Sequence, residues 1–204
     1  MNIIFVKEGS LYKATHVNNL YEALLPYYPD ARFICYTDDS EGVDIECIQL
    51  LYPLRKWWNK LALFSEEFPV KGKCILFDLD IKVLRDPKEY ITNFNLLHTV
   101  SAYWKRDIKK YYIPHAYNTV INSSVLSWTN HTQTHIWEHF NTNRDYFMRK
   151  YRGIDGFIYN EKFNIRYHED GILSRVESPL EGAAIESWNN VDFNEFGITV
   201  QKSA

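Results

Sequence analysis

Asp78 and Asp80 stand two residues apart, after the apolar run Cys74-Ile75-Leu76-Phe77 and before Ile81, Val83 and Leu84. Residues two apart on extended chain point to the same side, so both carboxylates can face one ligand. Buried without partners, they would lose hydration and repel each other. Two hard oxygen donors at a strand end instead suit a divalent cation whose shell phosphate oxygens complete. A solvated turn is the plain alternative, and the apolar text on both sides argues against it. A second set of chemistry-bearing residues is His131, His135 and His139, spaced i, i+4, i+8 in helical text. Three imidazoles along one face could hold a metal, but a polar helix face is the favoured reading.

The elements that position Asp78 and Asp80 follow from hydrophobic pattern. The run 2–6 (NIIFV) ends at Gly9-Ser10 and predicts a strand. Val17, Leu20, Leu24 and Leu25 recur at helical spacing, with Thr15 as the expected cap and Pro29 beyond the end. Residues 32–37 (RFICYT) predict a second strand and the alternating 43–50 (VDIECIQL) a third. Residues 56–68 predict a helix with Trp57, Leu61 and Phe64 on its buried side, and 73–78 predict the strand that ends at Asp78. Strand and helix alternating in this way predict an α/β domain with a mostly parallel sheet, in which ligands gather outside the carboxyl ends of the strands. Further on, strand-like pieces at 97–104 and 117–127 precede helical text from about 130 to 163. The last 25 residues carry no clear pattern.

Composition narrows the class. The chain has 204 residues, 46% hydrophobic and 24% charged, with no repeat or low-complexity linker, so a single domain is expected. A net charge of −3 gives no general attraction to nucleic acid. The one basic cluster, in 104–112, reads as a solvated loop or as a surface for an anionic acceptor or membrane. Cys35, Cys47 and Cys74 form no C-x-x-C pair and suit a reducing compartment. The apolar start is too short for a signal peptide and no transmembrane span follows, so a cytoplasmic protein is expected. Aromatic residues reach 16%, a supply that suits a core together with a site stacking on flat or sugar-like ligands.

Two enzyme classes place Asp-x-Asp after an apolar strand. In haloacid-dehalogenase-type phosphatases the first Asp is a nucleophile near the N-terminus, followed by Gly-Thr. Here Ile81-Lys82 stands in that place and 77 residues precede the pair. The other class fits the order of elements. The segment WWNKLALFSEEFPVKGKCILFDLDIKVLRDP (57–87) resembles the centre of GT-A glycosyltransferases, in particular the glycogenin-like group and related bacterial and phage enzymes. YNTVINSSVLSW (117–128) resembles their "FNSGV" strand, GIDGFIYNE (153–161) their "GDQ" segment, and residues 5–39 their first nucleotide-binding unit.

The resemblance implies a GT-A (Rossmann-like) domain that transfers a sugar from a UDP-sugar. About 1–95 would be the nucleotide half and about 96–204 the acceptor and sugar half. Asp78 and Asp80 would hold Mn²⁺ (or Mg²⁺) on the donor diphosphate, with Leu79 between them giving backbone or packing contact. Val6, Lys7 and Tyr12 would border the nucleotide, Tyr12 by stacking on uracil or by covering the sheet edge. Asp38 would accept from uracil or ribose, unless it only forms its turn. Lys60 would approach the nucleotide, and Asn122 and Ser123 the donor sugar. Asp155 would be the catalytic residue beside the transferred sugar. Trp57 and Trp58 are expected as core and pocket wall. The acceptor, whether saccharide, lipid-linked or protein, is not specified.

Two departures stand out. Gly156 occupies the place of the family Gln, and the C-terminal "HxxGxxKP" segment that supplies a third metal ligand and a diphosphate-gripping Lys is missing. His168 or water would then complete the metal shell. The competing readings are a phosphatase using Asp78 as nucleophile and a nucleotide-sugar binder without catalysis.

Overall fold

The computed structural model describes residues 1–52, 54–104, 119–176 and 178–187. A seven-stranded sheet in the order β3-β2-β1-β4-β7-β6-β8 forms its centre. The strands are β1 (Asn2–Lys7), β2 (Arg32–Thr37), β3 (Glu46–Gln49), β4 (Lys73–Phe77), β6 (Leu97–Ser101), β7 (Ile121–Thr129) and β8 (Ile165–Tyr167). All run parallel except β7, which is antiparallel to both β4 and β6. A smaller sheet in the order β5-β10-β9 joins β5 (Ile81–Val83), just after the Asp-x-Asp pair, to β9 (Leu173–Arg175) and β10 (Ile185–Ser187).

β1, β2 and β4 are apolar on both faces because helices or the small sheet cover both sides. Ile4, Ile34 and Leu76 face one core with the 57–64 segment and three helices; Ile3, Phe5, Cys35 and Phe77 face the other with α1 (Ala14–Leu24) and the small sheet. The three helices are α2 (Thr134–Thr142), α3 (Arg144–Lys150) and α4 (Ile154–Asn160). None of the described helices is long and apolar enough to cross a membrane.

Four local expectations change. The cap of α1 is Lys13, whose backbone N–H donates to His16 Nδ1 at 2.9 Å, so Thr15 lies inside the helix. β3 keeps only four of the eight expected residues, at the sheet edge. Residues 56–68 form a 3₁₀ helix over Lys56–Phe64 rather than a longer α-helix. Three residues per turn put Trp58, Leu61 and Phe64 in line toward the core and leave Trp57 exposed, against its expected burial. Of the basic cluster, residues 105–112 lie outside the described residues.

Candidate active site

Leu79 is the pivot of the site. It is buried in the core shared with α1, at the turn that follows β4, and Asp78 and Asp80 on either side of it are only half-buried. Asp78 extends the β4 ladder by one bond, its N–H donating to Ser124 O at 2.9 Å. Its carboxylate meets Lys60, with Nζ to Oδ1 at 2.5 Å. The same amine donates to Ser123 O at 3.2 Å and Ser123 Oγ at 3.3 Å. Lys60 is buried, and these three acceptors use its three donors.

Ser123 connects this ion pair to Asp155. Its N–H donates to Asp155 Oδ1 at 3.1 Å, from β7 to the first turn of α4. A bulge in β7 makes this reach possible: His98 pairs with Ser127 but Val100 pairs with Asn122, so residues 123–126 face Thr99 alone. Asn122, itself buried, accepts from Ser124 N–H at 2.9 Å and holds the bulge. Lys60, Asp78, Ser123 and Asp155 thus form one hydrogen-bonded chain drawn from four elements.

Asp80 is half-buried. Burial, and next the Asp78 charge, push its carboxyl up to about 7, while Lys60 and Arg175 pull it down. Tyr12 also belongs here. Its hydroxyl is held protonated by burial and by the charges of Asp80 and Asp78, so it is a neutral donor beside both carboxylates.

The nucleotide-side candidates are placed differently. Lys7 is buried and its amine reaches Asp39, at 3.0 Å to the carbonyl and 3.4 Å to Oδ2. Asp38 accepts from Gly9 N–H through both oxygens at 3.1 and 3.0 Å and pins the loop after β1. Val6 is half-buried and pairs with Tyr36 of β2. An open cleft of about 390 Å³ lies over the carboxyl ends of β1, β2 and β3, lined by Glu8, Asp38, Leu50, Leu51, Tyr52, Leu54 and Arg55.

His168 is not gathered with the aspartates. Its ring is buried, bonds the Val125 backbone and lies 5.9 Å from the His98 ring; burial and His98 push it down to about 3, so it is neutral. Among the described residues no three His, Cys, Asp or Glu side chains come together as a metal site, which also separates His131, His135 and His139. His139 instead contacts Glu161 at 2.9 Å. Sequence reasoning missed Arg175, which follows the helical text that ends near 163 and carries no motif.

Solved structures share this architecture. The galactosyltransferase LgtC, solved with donor and acceptor sugar analogues, matches with a TM-score of 0.65 at 14% identity, over 94% of this chain and 88% of LgtC. The fold is that of a GT-A glycosyltransferase. GlyE of Streptococcus pneumoniae TIGR4 matches with a TM-score of 0.67 at 12% identity, over 94% of this chain and 55% of GlyE. A glycosyltransferase involved in glycosylation of the major capsid of PBCV-1 matches with a TM-score of 0.57 at 13% identity, over 96% of each chain. No protein-family model and no curated protein matches the sequence.

Proposed function

We propose that the chain is a metal-dependent glycosyltransferase that moves a sugar from a UDP-sugar to an acceptor. The observation that carries this reading is the pair of carboxylates at the end of β4, one ion-paired to Lys60 and the other pushed up to about 7 by burial and by its neighbour. Such a pair fits a hard divalent cation, since added positive charge relieves the repulsion that the protein otherwise relieves with a proton. Asp78 and Asp80 would hold Mn²⁺ or Mg²⁺, with the rest of its shell drawn from phosphate and water. The cation, when bound, neutralises charge on the departing diphosphate. Lys60 holds Asp78 and the β7 bulge in register, Tyr12 donates from a neutral hydroxyl, and Asp155 borders the transferred sugar through Ser123. The crystallised sugar analogues of LgtC support this reading by analogy of fold. Buried free Cys35 and Cys74 suit a cytoplasmic setting.

Isothermal titration of UDP, with Mn²⁺ and with chelator, tests it on wild type and Asp80→Asn. Binding that needs both Mn²⁺ and Asp80 is expected, followed by turnover of a UDP-sugar. Binding of UDP without hydrolysis or transfer of any UDP-sugar would leave a binding protein, and absence of UDP binding in every condition would sink the reading.

A further inference from the structure

Trp57 leaves 41% of its surface in solvent, whereas the adjacent Trp58 is core at 5%. An exposed indole offers a flat apolar face on which a ring can stack. This one is fixed in place. Its Nε1–H donates to Arg152 O at 3.0 Å. The ring lies so close to Gly153 that a Cβ there would meet Nε1 at 2.7 Å and Cδ1 at 2.9 Å. Gly153 has extended backbone that any residue adopts, so the indole itself is what excludes a side chain at this position.

The chain enters the 3₁₀ helix under equal constraint. Lys56 has φ 52°, in the left-handed region where a lysine is strained. Its N–H donates to Glu8 Oε2 at 3.2 Å, and the fully buried Asn59 amide bonds Leu54 O at 2.9 Å and Lys56 O at 3.0 Å. These bonds set the direction of residue 57 before any ligand arrives. A rigid platform loses little freedom on binding.

Its position names the ligand. In a 3₁₀ helix residues i and i+3 eclipse about 6 Å apart along the axis, so Trp57 stands on the same face as Lys60. Lys60 reaches Asp78 at the phosphate end of the site. On the other flank Gly153 caps α4, which carries Asp155. Asp155 is turned inward to the buried Ser123, while the indole keeps its exposed part in solvent with Lys56 Nζ 5.6 Å from the ring centroid. On the proposed reading, a ring resting on Trp57 would lie outside the sugar that Asp155 borders. We propose that Trp57 is the stacking platform for a saccharide acceptor, packing the apolar C–H face of a pyranose ring against the indole. This rests on the glycosyl-transfer reading.

Saturation-transfer NMR with cellobiose, lactose and maltose as probes and acyclic sorbitol as control, with UDP and Mn²⁺ present, tests the platform. At least one disaccharide should receive saturation at its ring protons and sorbitol none. Trp57→Leu should cut that signal at least about fivefold while its UDP affinity, read by titration, stays within about twofold of wild type. Gly153→Ala keeps the tryptophan but drives a methyl into it, and should lose the saccharide signal likewise. Trp57→Leu should melt within about 4 °C of wild type, because Trp57 is not part of the buried core cluster. The proposal is overturned by a saccharide signal that survives in both variants, or by a wild type that binds UDP and gives no signal with any disaccharide. It is also overturned by a parallel loss of UDP affinity in Trp57→Leu, which would move the indole to the donor. Wild type that fails to bind UDP yet stacks a disaccharide through Trp57 would remove the donor reading and keep the platform. Failure of both would remove both.

Discussion

Replacing Asp80 by Asn should make the metal-free protein more stable. Burial and the Asp78 charge push the Asp80 carboxyl from 3.8 to about 7. That displacement is about 3 pH units, or about 4 kcal/mol of penalty on the ionised form at pH 8. Asp78 shares the field and the new amide needs partners for its two N–H donors, so about 2 kcal/mol should survive as a gain. For a chain of this length that is about 4–8 °C in melting temperature. The sign depends on pH. The folded-state value lies above the unfolded one, so the stability contributed by protonated Asp80 is full below about 3.8 and is lost as pH rises through about 7. The variant's advantage should therefore be large at pH 8 and mostly gone at pH 4.5. Thermal melts of both proteins in chelator at the two pH values measure it. Adding Mn²⁺ and UDP at about 100 times the dissociation constant should then raise wild type by about 2.7 kcal/mol and leave the variant in place. A variant less stable than wild type at pH 8 in chelator, or a gain equal at both pH values, would refute the crowding of Asp78 and Asp80.

Lys60→Met removes the partner of Asp78 and the donor to Ser123 while keeping an apolar stem. A one-sided break in this partly exposed pair should cost about 2 kcal/mol in urea titration, less than the loss for a fully buried pair. Glu161 accepts from Lys150 at 2.8 Å, His139 at 2.9 Å and the Tyr151 hydroxyl, and these bonds hold its carboxyl down at about 2 despite partial burial. Glu161→Gln should cost about 2 kcal/mol at pH 7, and the gap to wild type should narrow as pH falls from 4.5 toward 2, where this contribution is lost. His168→Phe keeps a buried ring of similar size and gives up the bond to Val125, at about 1 kcal/mol in stability. Its Mn²⁺-dependent UDP affinity should match wild type, whereas a third metal ligand would lose tenfold or more.

The parts of the fold legible in the sequence were those whose burial is uniform. β1, β2 and β4 are covered on both faces and read as apolar runs, and Asp78 and Asp80 stand out because they interrupt one. β3 is an edge strand, and half of its alternating text lies outside the ladder. The 3₁₀ helix shows where periodicity misleads: an α-helical period puts Trp57 inward, and a period of three puts Trp58 there. The cap of α1 was hidden because His16 supplies the side chain from inside the helix, whereas the expected signal is a cap residue such as Thr15. β9 and β10 are three residues long, too short for any period. Lys60, Ser123 and Asp155 were each visible as motif residues. Their connection was not, because it depends on a bulge in β7 that joins positions 63 and 32 residues apart.

The two carboxylates are tolerated in the metal-free protein because each has a stand-in for a cation. Asp78 has the Lys60 amine at 2.5 Å, and Asp80, pushed up to about 7, takes a proton near neutrality. On the proposed metal-dependent reading, Asp78 and Asp80 would hold a divalent cation only if Asp80 gave up its proton and Asp78 shared its charge between Lys60 and the cation. Lys60 would keep Ser123 O and Oγ in that state, which would leave one of its donors for a phosphate oxygen. On that reading metal binding would be proton-linked. Below about 7 each pH unit should weaken Mn²⁺ binding about tenfold, and above it the affinity should level off. Titration of Mn²⁺ into protein saturated with UDP-glucose, whose phosphates do not titrate in this range, reads the linkage directly. Affinity that is flat between pH 5.5 and 8 would mean that no proton leaves Asp80 when the metal arrives. The raised carboxyl would then belong to the fold and not to the cation site.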